Sequence, residues 1–217
     1  MLFIVSTPIG NLKDITLRAI ETLKSVDLIA AEDTRHTKIL LNHYEIQTPL
    51  TSYFEHNETN KADYLVGFLK EGKNVALVTD AGTPGISDPG YPLIRLAKEN
   101  NIPITVIPGP TALIAALTLS GLPAHEFIFL GFLPVKSGGR RNKLEELKQE
   151  TRTIIFYESP HRILKTLKDI EEVLDNPTIV VARELTKKFE EVKEGQAQEI
   201  LEYFTKSAPR GEFVILI

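Results

Sequence analysis

Short apolar runs alternate with amphipathic segments along the first half of the chain. Runs rich in Val and Ile predict buried strands, whereas apolar residues that recur at helical spacing predict helices. In residues 17–26, for example, Leu17, Ile20 and Leu23 share one face, which only Lys24 interrupts. The predicted strands are 2–6, 27–31, 74–79 and 102–107, and the predicted helices are 17–26, 62–72, 91–100 and 111–121.

After residue 121 the alternation of predicted strands and helices begins again, with fewer helical segments between the strands. Strands that are apolar throughout, as in the first half, are typical of a parallel sheet covered by helices on both faces. Sparser helices, together with the partly alternating segment 189–195, indicate a mixed sheet in the second half. We therefore predict an α/β protein with two domains, 1–116 with a parallel sheet and 117–217 with a mixed sheet, and a cleft between them. The strands predicted in the second half are 127–132, 153–158, 178–183 and 212–217, and the helices lie near 141–150 and 161–174.

Three loops that follow predicted strands are rich in Gly, Pro and Thr: 6–11, 79–92 and 108–111. Ligands of parallel α/β sheets bind outside the carboxyl ends of the strands, where these loops lie. Glycine lets the backbone approach a ligand closely, and proline fixes the shape of a loop. One such loop could equally be a tight turn, but three at one sheet edge favour a ligand site. None of them has the GxxxxGK[ST] or GxGxxG pattern of nucleotide-binding loops.

Charged residues cluster after the second predicted strand. Glu32 and Asp33 lie there beside Arg35, and Asp80 opens the second glycine-rich loop. Carboxylates at the carboxyl end of a strand can serve in catalysis or can form an internal ion pair that holds the loop, and the sequence leaves both interpretations open.

The segment YESPHR (157–162) breaks a local preference of helices. Ser159 is a good N-cap and Pro160 a good first helical residue, which would place His161 and Arg162 in the first turn. The helix dipole disfavours positive charge there. A bound anion or a carboxylate partner, for which Glu158 is a candidate, would compensate.

A run of cations surrounds Gly138 and Gly139. Such a run is usually a solvated surface, but the glycine pair could make it a mobile clamp for RNA phosphates. The net charge of −4 argues against nonspecific coating of nucleic acid, so RNA binding would need such a local patch. The candidate clamp residues are Lys136, Arg140, Arg141 and Lys143.

Composition excludes several classes of protein. With 42% hydrophobic and 25% charged residues, the 217-residue chain is expected to fold rather than to be disordered. It has no cysteine, and its five histidines lack HExxH spacing, so we expect no metal site. The apolar start lacks a basic segment and the apolar runs are strand-sized, so we expect neither a signal peptide nor a membrane span but a cytoplasmic protein.

Taken together, the loop motifs resemble the tetrapyrrole-methylase-like class of S-adenosylmethionine-dependent methyltransferases. Within it they are similar to the group that 2′-O-methylates a cytidine in the decoding region of 16S ribosomal RNA. The resemblance covers the chain from residue 2 to the final strand, although members generally continue for several dozen residues beyond it. The motifs are STPIGNLKDIT (6–16), AEDTR (31–35), DAGTPGISDPG (80–90), IPGPTA (107–112), GFLP (131–134), YESPHR (157–162) and ARELTK (182–187).

The resemblance implies the tetrapyrrole methylase fold, a homodimer, no metal, and S-adenosylmethionine bound in the cleft and converted to S-adenosylhomocysteine. It also implies 16S ribosomal RNA, within the 30S subunit, as the partner, and no membrane. By motif matching, the cofactor-binding residues would be Pro8, Thr83, Ile86, Thr111 and Ala112, with Tyr157, Ala182 and Gly211 as weaker matches.

Methylation of a ribose hydroxyl is helped by a base that removes its proton. The catalytic candidates are Asp33, Glu32 and Asp80, followed by Glu158. Two other functions stay open: methylation of a corrin or other tetrapyrrole precursor, which a deep apolar trough would favour, and non-catalytic binding of RNA or nucleotides. The basic segment favours RNA over a tetrapyrrole, and the ligand-type loops favour an enzyme over a simple binding module.

Overall fold

The strands of the first half form one parallel sheet. In this computed structural model, which describes residues 1–217, they are β1 (Leu2–Val5), β2 (Leu28–Ala31), β3 (Leu50–Ser52), β4 (Val75–Val78) and β5 (Ile104–Ile107). Their order is β3-β2-β4-β1-β5, and every neighbouring pair is parallel. The intervening helices are α1 (Leu17–Ser25), α2 (Thr34–His43), α3 (Glu58–Lys70) and α4 (Tyr91–Glu99).

Both faces of this sheet are buried. Leu2, Ile4 and Leu77 pack into a cluster on one face, and Val5 and Val78 pack into a separate cluster on the other. All four residues of β4 are fully buried, which explains why the central strands are apolar at every position.

The second half forms a mixed sheet. Its elements are α5 (Ala112–Ser120), β6 (Phe127–Phe132), α6 (Ser137–Glu146), β7 (Thr153–Glu158), α7 (Ile163–Val173), β8 (Thr178–Arg183), β9 (Glu191–Gln196), α8 (Ala197–Ser207) and β10 (Phe213–Leu216). The strand order is β6-β7-β10-β8-β9, in which only β6 and β7 are parallel. The predicted α/β class, with a parallel first sheet and a mixed second sheet, is confirmed.

The chain divides into two units, Met1–Thr111 and Ala112–Ile217. This division falls before α5, whereas the sequence predicted a boundary after residue 116, inside that helix. The whole of α5 belongs to the second unit because it packs on the strands of the second sheet. None of the helices is long and apolar enough to cross a membrane.

Two predictions about helix starts were wrong. Residues 136–143 were expected to be a loop with a glycine hinge, but α6 begins at Ser137 and includes Gly138 and Gly139. Conversely, α7 begins at Ile163 and not at Pro160. Residues 159–162 form a turn instead, in which Ser159 O accepts hydrogen bonds from the backbone N–H of Arg162 and Ile163 at 3.1 and 3.0 Å.

Candidate functional site

The three glycine- and proline-rich loops lie at one edge of the first sheet. They follow β1, β4 and β5, and these strands are neighbours in the order β4-β1-β5. Because the three strands are parallel, their carboxyl ends share an edge. This is the position at which open α/β sheets bind their ligands.

Hydroxyl groups connect the three loops. Thr83 Oγ1 lies 2.8 Å from Ser6 Oγ and 3.0 Å from Thr111 Oγ1, so each loop contributes one hydroxyl to a continuous chain. The loops after β1 and β4 are also joined through their backbones, since Thr7 and Gly82 exchange N–H···O bonds of 2.8 and 3.1 Å. Hydroxyls both donate and accept hydrogen bonds, so this chain can bind the polar groups of a small ligand.

Close packing holds these loops in place. A Cβ atom added to Gly109 would lie 2.9 Å from the Ser6 Cβ atom, so only glycine fits where the loop after β5 meets the loop after β1. Pro8 is buried beside Ser6, whereas the Ile86 side chain is 41% exposed. Neither Ser6 nor Gly109 was among the predicted site residues, although the STP and PGP motifs contain them.

The three acidic candidates lie together at the ends of the adjacent strands β2 and β4. Asp80 Oδ1 accepts a hydrogen bond from the Asp33 backbone N–H at 3.0 Å, and Glu32 Oε2 accepts one from the Asp80 backbone N–H at 3.3 Å. Burial raises the pKa of Glu32 above its usual 4.5, and the nearby charges of Asp80, Asp33 and Glu55 act in the same direction. A carboxylate in such a position can accept a proton at neutral pH.

Asp33 has a different environment from Glu32. Its carboxylate accepts bonds from Arg35 Nε at 3.1 Å and Nη2 at 2.7 Å, and it caps α2 through the Arg35 backbone N–H at 2.8 Å. These contacts lower the pKa of Asp33, with the Arg35 side chain as the largest cause. The geometry therefore favours an internal ion pair for Asp33 and leaves Glu32 the stronger base.

Four predicted cofactor contacts lie in the second unit. Tyr157 Oη accepts a hydrogen bond of 3.2 Å from the backbone N–H of Leu113. Leu113 directly follows Ala112 at the start of α5. Ala182 lies within β8 opposite Val214 and is fully buried. Gly211 has a φ of +87°, and a side chain there would overlap Glu184.

Three of the four cations of the predicted clamp form ion pairs within the chain. The Arg140 side chain is only 3% exposed, and its Nε donates to Asp169 Oδ2 at 2.7 Å. Arg141 forms ion pairs with both Asp169 and Glu172, at 3.1 and 2.5 Å. Lys143 pairs with Glu146 at 2.7 Å. The local sequence presents these residues as a free charge run because the carboxylates that pair with Arg140 and Arg141 lie far along the chain, on α7.

Lys136 differs from the other three cations. It is exposed, precedes α6 and forms no ion pair.

Glu158 forms the internal pair that the sequence predicted as one alternative. It is 2% exposed, lies 3.3 Å from Arg162 Nε, and accepts hydrogen bonds from Thr166 Oγ1 at 2.6 Å and the Ser159 N–H at 2.7 Å. Its oxygens are thus fully engaged, and we drop it from the catalytic candidates. No cluster of three or more His, Cys, Asp or Glu side chains suited to a metal ion occurs in the chain.

The fold and these loops define the class of protein. Residues 1–201 match the family model of the Tetrapyrrole (Corrin/Porphyrin) Methylases, and the chain belongs to this family. The fold agrees with it: a uroporphyrin-III-C-methyltransferase from Thermus thermophilus aligns with a TM-score of 0.70 at 17% identity, over 99% of this chain and 93% of that one. A cobalt precorrin-4 methyltransferase aligns with a TM-score of 0.72 at 19% identity, with the same coverage.

Much closer sequence relatives carry a more specific name. The chain is 53% identical to "Ribosomal RNA small subunit methyltransferase I" of Synechocystis sp., over its full length and 78% of that protein. It is 48% identical to the protein of the same name from Thermotoga maritima, over its full length and 97% of that protein. A relative from Escherichia coli O157:H7 with this name is 51% identical, over the full chain and 77% of that protein. The predicted resemblance is therefore confirmed.

Proposed function

We propose that this protein is a ribosomal RNA methyltransferase that transfers a methyl group from S-adenosylmethionine to the ribose 2′-hydroxyl of a cytidine in the decoding region of 16S ribosomal RNA. The observation that carries the proposal is identity of about half over the whole chain with relatives named for methylation of small-subunit ribosomal RNA. The solved structures support the fold alone, because their identity to this chain is below a fifth.

The residues of the loop edge are suited to S-adenosylmethionine. This molecule has ribose hydroxyls, an ammonium, a carboxylate and a sulfonium, and when bound it supplies an activated methyl group. The partly exposed hydroxyls of Thr83 and Thr111 can pair with its polar groups, with Ser6 buried behind Thr83, and the acidic side chains of Glu32 and Asp80 suit its positive charges. At this edge Pro8, Thr83, Ile86 and Thr111 would hold it, and the resemblance implies Ala112, Tyr157, Ala182 and Gly211 as further contacts.

Glu32 is our candidate for the general base. Its raised pKa suits a group that accepts the proton of a 2′-hydroxyl as the oxygen attacks, a contribution of typically ~10²–10⁴-fold in rate. Asp80 would orient Glu32 through its backbone N–H. Asp33, committed to Arg35 and to the cap of α2, would position the start of that helix rather than move a proton.

The resemblance also supports a cytoplasmic homodimer that acts on the 30S subunit. Lys136 is the member of the predicted RNA clamp that is still available for RNA phosphates. To bind RNA, Arg141 and Lys143 would have to give up their carboxylate partners for phosphate groups. Arg140, buried with Asp169, would stabilise the fold instead.

A transfer assay tests the function. The protein is incubated with methyl-labelled S-adenosylmethionine and with isolated 16S RNA, assembled 30S particles or uroporphyrinogen III. We expect label in RNA, in a dinucleotide that resists alkaline cleavage because its 2′-oxygen is methylated. Label in the tetrapyrrole would support the corrin-precursor alternative, and RNA binding without transfer to any acceptor would support the non-catalytic one.

A further inference from the structure

An exposed aromatic residue lies at the carboxyl end of β6, and none of the roles proposed so far involves it. Phe132 is 53% exposed and is followed by Val135, which is 76% exposed. Its ring makes an edge contact with Tyr157, with 5.8 Å between the ring centroids. Aromatic side chains contribute strongly to the energetics of binding interfaces.

An irregularity in β6 directs this side chain. Phe129 pairs with Ile155 and Phe132 with Tyr157, so three residues of β6 span two residues of β7. Gly131, with a φ of +62°, lies within this bulge. In a regular strand two residues three apart, such as Phe129 and Phe132, point to opposite faces; because of the bulge, both rings contact Tyr157.

Two arginines paired with buried carboxylates hold the chain that follows Phe132. Arg162 Nη2 donates to the carbonyl oxygens of Leu133 and Pro134 at 2.6 and 3.3 Å, and Arg140 Nη1 donates to that of Val135 at 3.2 Å. The two guanidinium groups are balanced by the buried carboxylates of Glu158 and Asp169. Three consecutive carbonyls are thereby fixed, and the exposed ring is presented by a rigid segment.

We propose that Phe132 stacks on an unpaired nucleobase of the RNA substrate. This inference deepens the proposed function and rests on it for the identity of the substrate. Proteins recognise single-stranded RNA by combining exposed aromatic rings with cations that contact the backbone. Lys136, exposed and free of ion pairs four residues after Phe132, provides such a cation. A ring ordered before binding loses little entropy when the base arrives.

The chain has no tryptophan, which permits a direct measurement. Phe132→Trp introduces a single indole whose fluorescence a stacked base should quench, so we expect saturable quenching by a cytidine-rich single-stranded RNA oligonucleotide. Phe189 offers the matched control, because it is 67% exposed and has the Lys188 ammonium 5.6 Å from its ring centroid. Phe189→Trp should show little quenching.

Alanine variants give a second readout. Phe132→Ala should weaken RNA binding about five- to a hundredfold and raise the KM for 30S particles, since a base stack contributes about that much. Phe189→Ala should leave both unchanged. If Phe132→Ala does not fold, as judged by circular dichroism, the quenching experiment still decides.

The outcomes separate this inference from the function. Wild-type protein that methylates RNA, with an unquenched Trp at position 132, would overturn the stacking role alone. A Phe132→Ala variant that loses its oligomeric state but keeps its RNA affinity would also overturn it, because the ring would then contact a second copy of the chain. Quenching in a protein that methylates no RNA would support stacking and contradict the proposed function.

Discussion

Arg140 allows a sharp test of whether the basic helix α6 serves the fold or binds RNA. The Arg140 and Asp169 side chains are 3% and 8% exposed, and Nη2 of Arg140 lies 2.5 Å from Asp169 Oδ2. Removal of one partner from a buried pair typically costs ~3–5 kcal/mol of stability, because the other charge stays buried. Arg141 Nη1, 3.1 Å from Asp169 Oδ1, would still offset part of that charge.

We therefore expect Arg140→Gln to cost about 3 kcal/mol, the lower end of that range. For a chain of this size, such a loss lowers Tm by roughly 6–12 °C. Thermal unfolding followed by circular dichroism measures it. Lys143→Gln, which breaks the exposed pair with Glu146, should change stability by less than about 1 kcal/mol and serves as the control.

RNA binding supplies the result that would refute this reasoning. An arginine that contacts phosphate contributes about 0.7 to the slope of log K against log salt on single-stranded RNA. A buried Arg140 contributes nothing, so Arg140→Gln should keep the wild-type slope at a temperature where it is folded. A variant with wild-type Tm and a flatter slope would show that Arg140 faces the RNA.

Further variants test the ligand site and its carboxylates. Because the folded state raises the pKa of Glu32, Glu32→Gln should increase Tm at pH 7, with a gain that shrinks as the pH falls toward 4.5, while turnover falls ~10²–10⁴-fold. Asp33, whose pKa is lowered, stabilises the fold above its ordinary value of 3.8, so Asp33→Asn should lower Tm at pH 7 and leave the specific activity of the folded enzyme nearly unchanged. Gly109→Ala should weaken S-adenosylmethionine binding in calorimetry because its methyl group would displace Ser6, whereas Gly67→Ala, in open space within α3, should raise stability by roughly 0.5–1 kcal/mol. Ala112→Phe should block the cofactor while the protein stays folded, and unchanged affinity would remove Ala112 from the site.

The sequence predicted the first sheet well because its signal is local. Strands buried on both faces need apolar residues throughout, so β1, β2 and β4 are visible as runs of Leu, Val, Ile and Ala. The loops that follow β1, β4 and β5 were placed correctly for the same reason, since each begins where such a run ends. By contrast, the three-residue strand β3 is too short to show a pattern.

The sequence did not predict α2, because this helix starts with polar residues and its apolar residues come only in its second half. Asp33 caps α2, and Thr37, Leu40 and Leu41 form its buried face. The polar start of this segment resembles a loop, and the sequence left open whether its charged residues serve in catalysis or form an internal ion pair. The Asp33 side chain, which accepts the Arg35 backbone N–H, was the available signal of a helix start.

Interactions between distant residues explain the remaining errors. The basic segment at 136–143 has a glycine pair and little helix propensity, yet it forms α6 because Arg140 and Ser137 both contact Asp169, about thirty residues later on α7. A local pattern cannot show that a cation will be neutralised by a carboxylate so far along the chain. In a protein with 25 basic and 29 acidic residues, the density of cations in the sequence is therefore a poor guide to RNA contacts.

What the structure adds is the distinction between paired and unpaired groups. Arg140 and Arg162 are basic, yet each donates to backbone carbonyls and is balanced by a buried carboxylate, so both build the segment that carries Phe132. Lys136 adds the free charge beside it. A net-negative protein can hold RNA in this way, because a few ordered contacts at one place do not require a positive field over the whole surface.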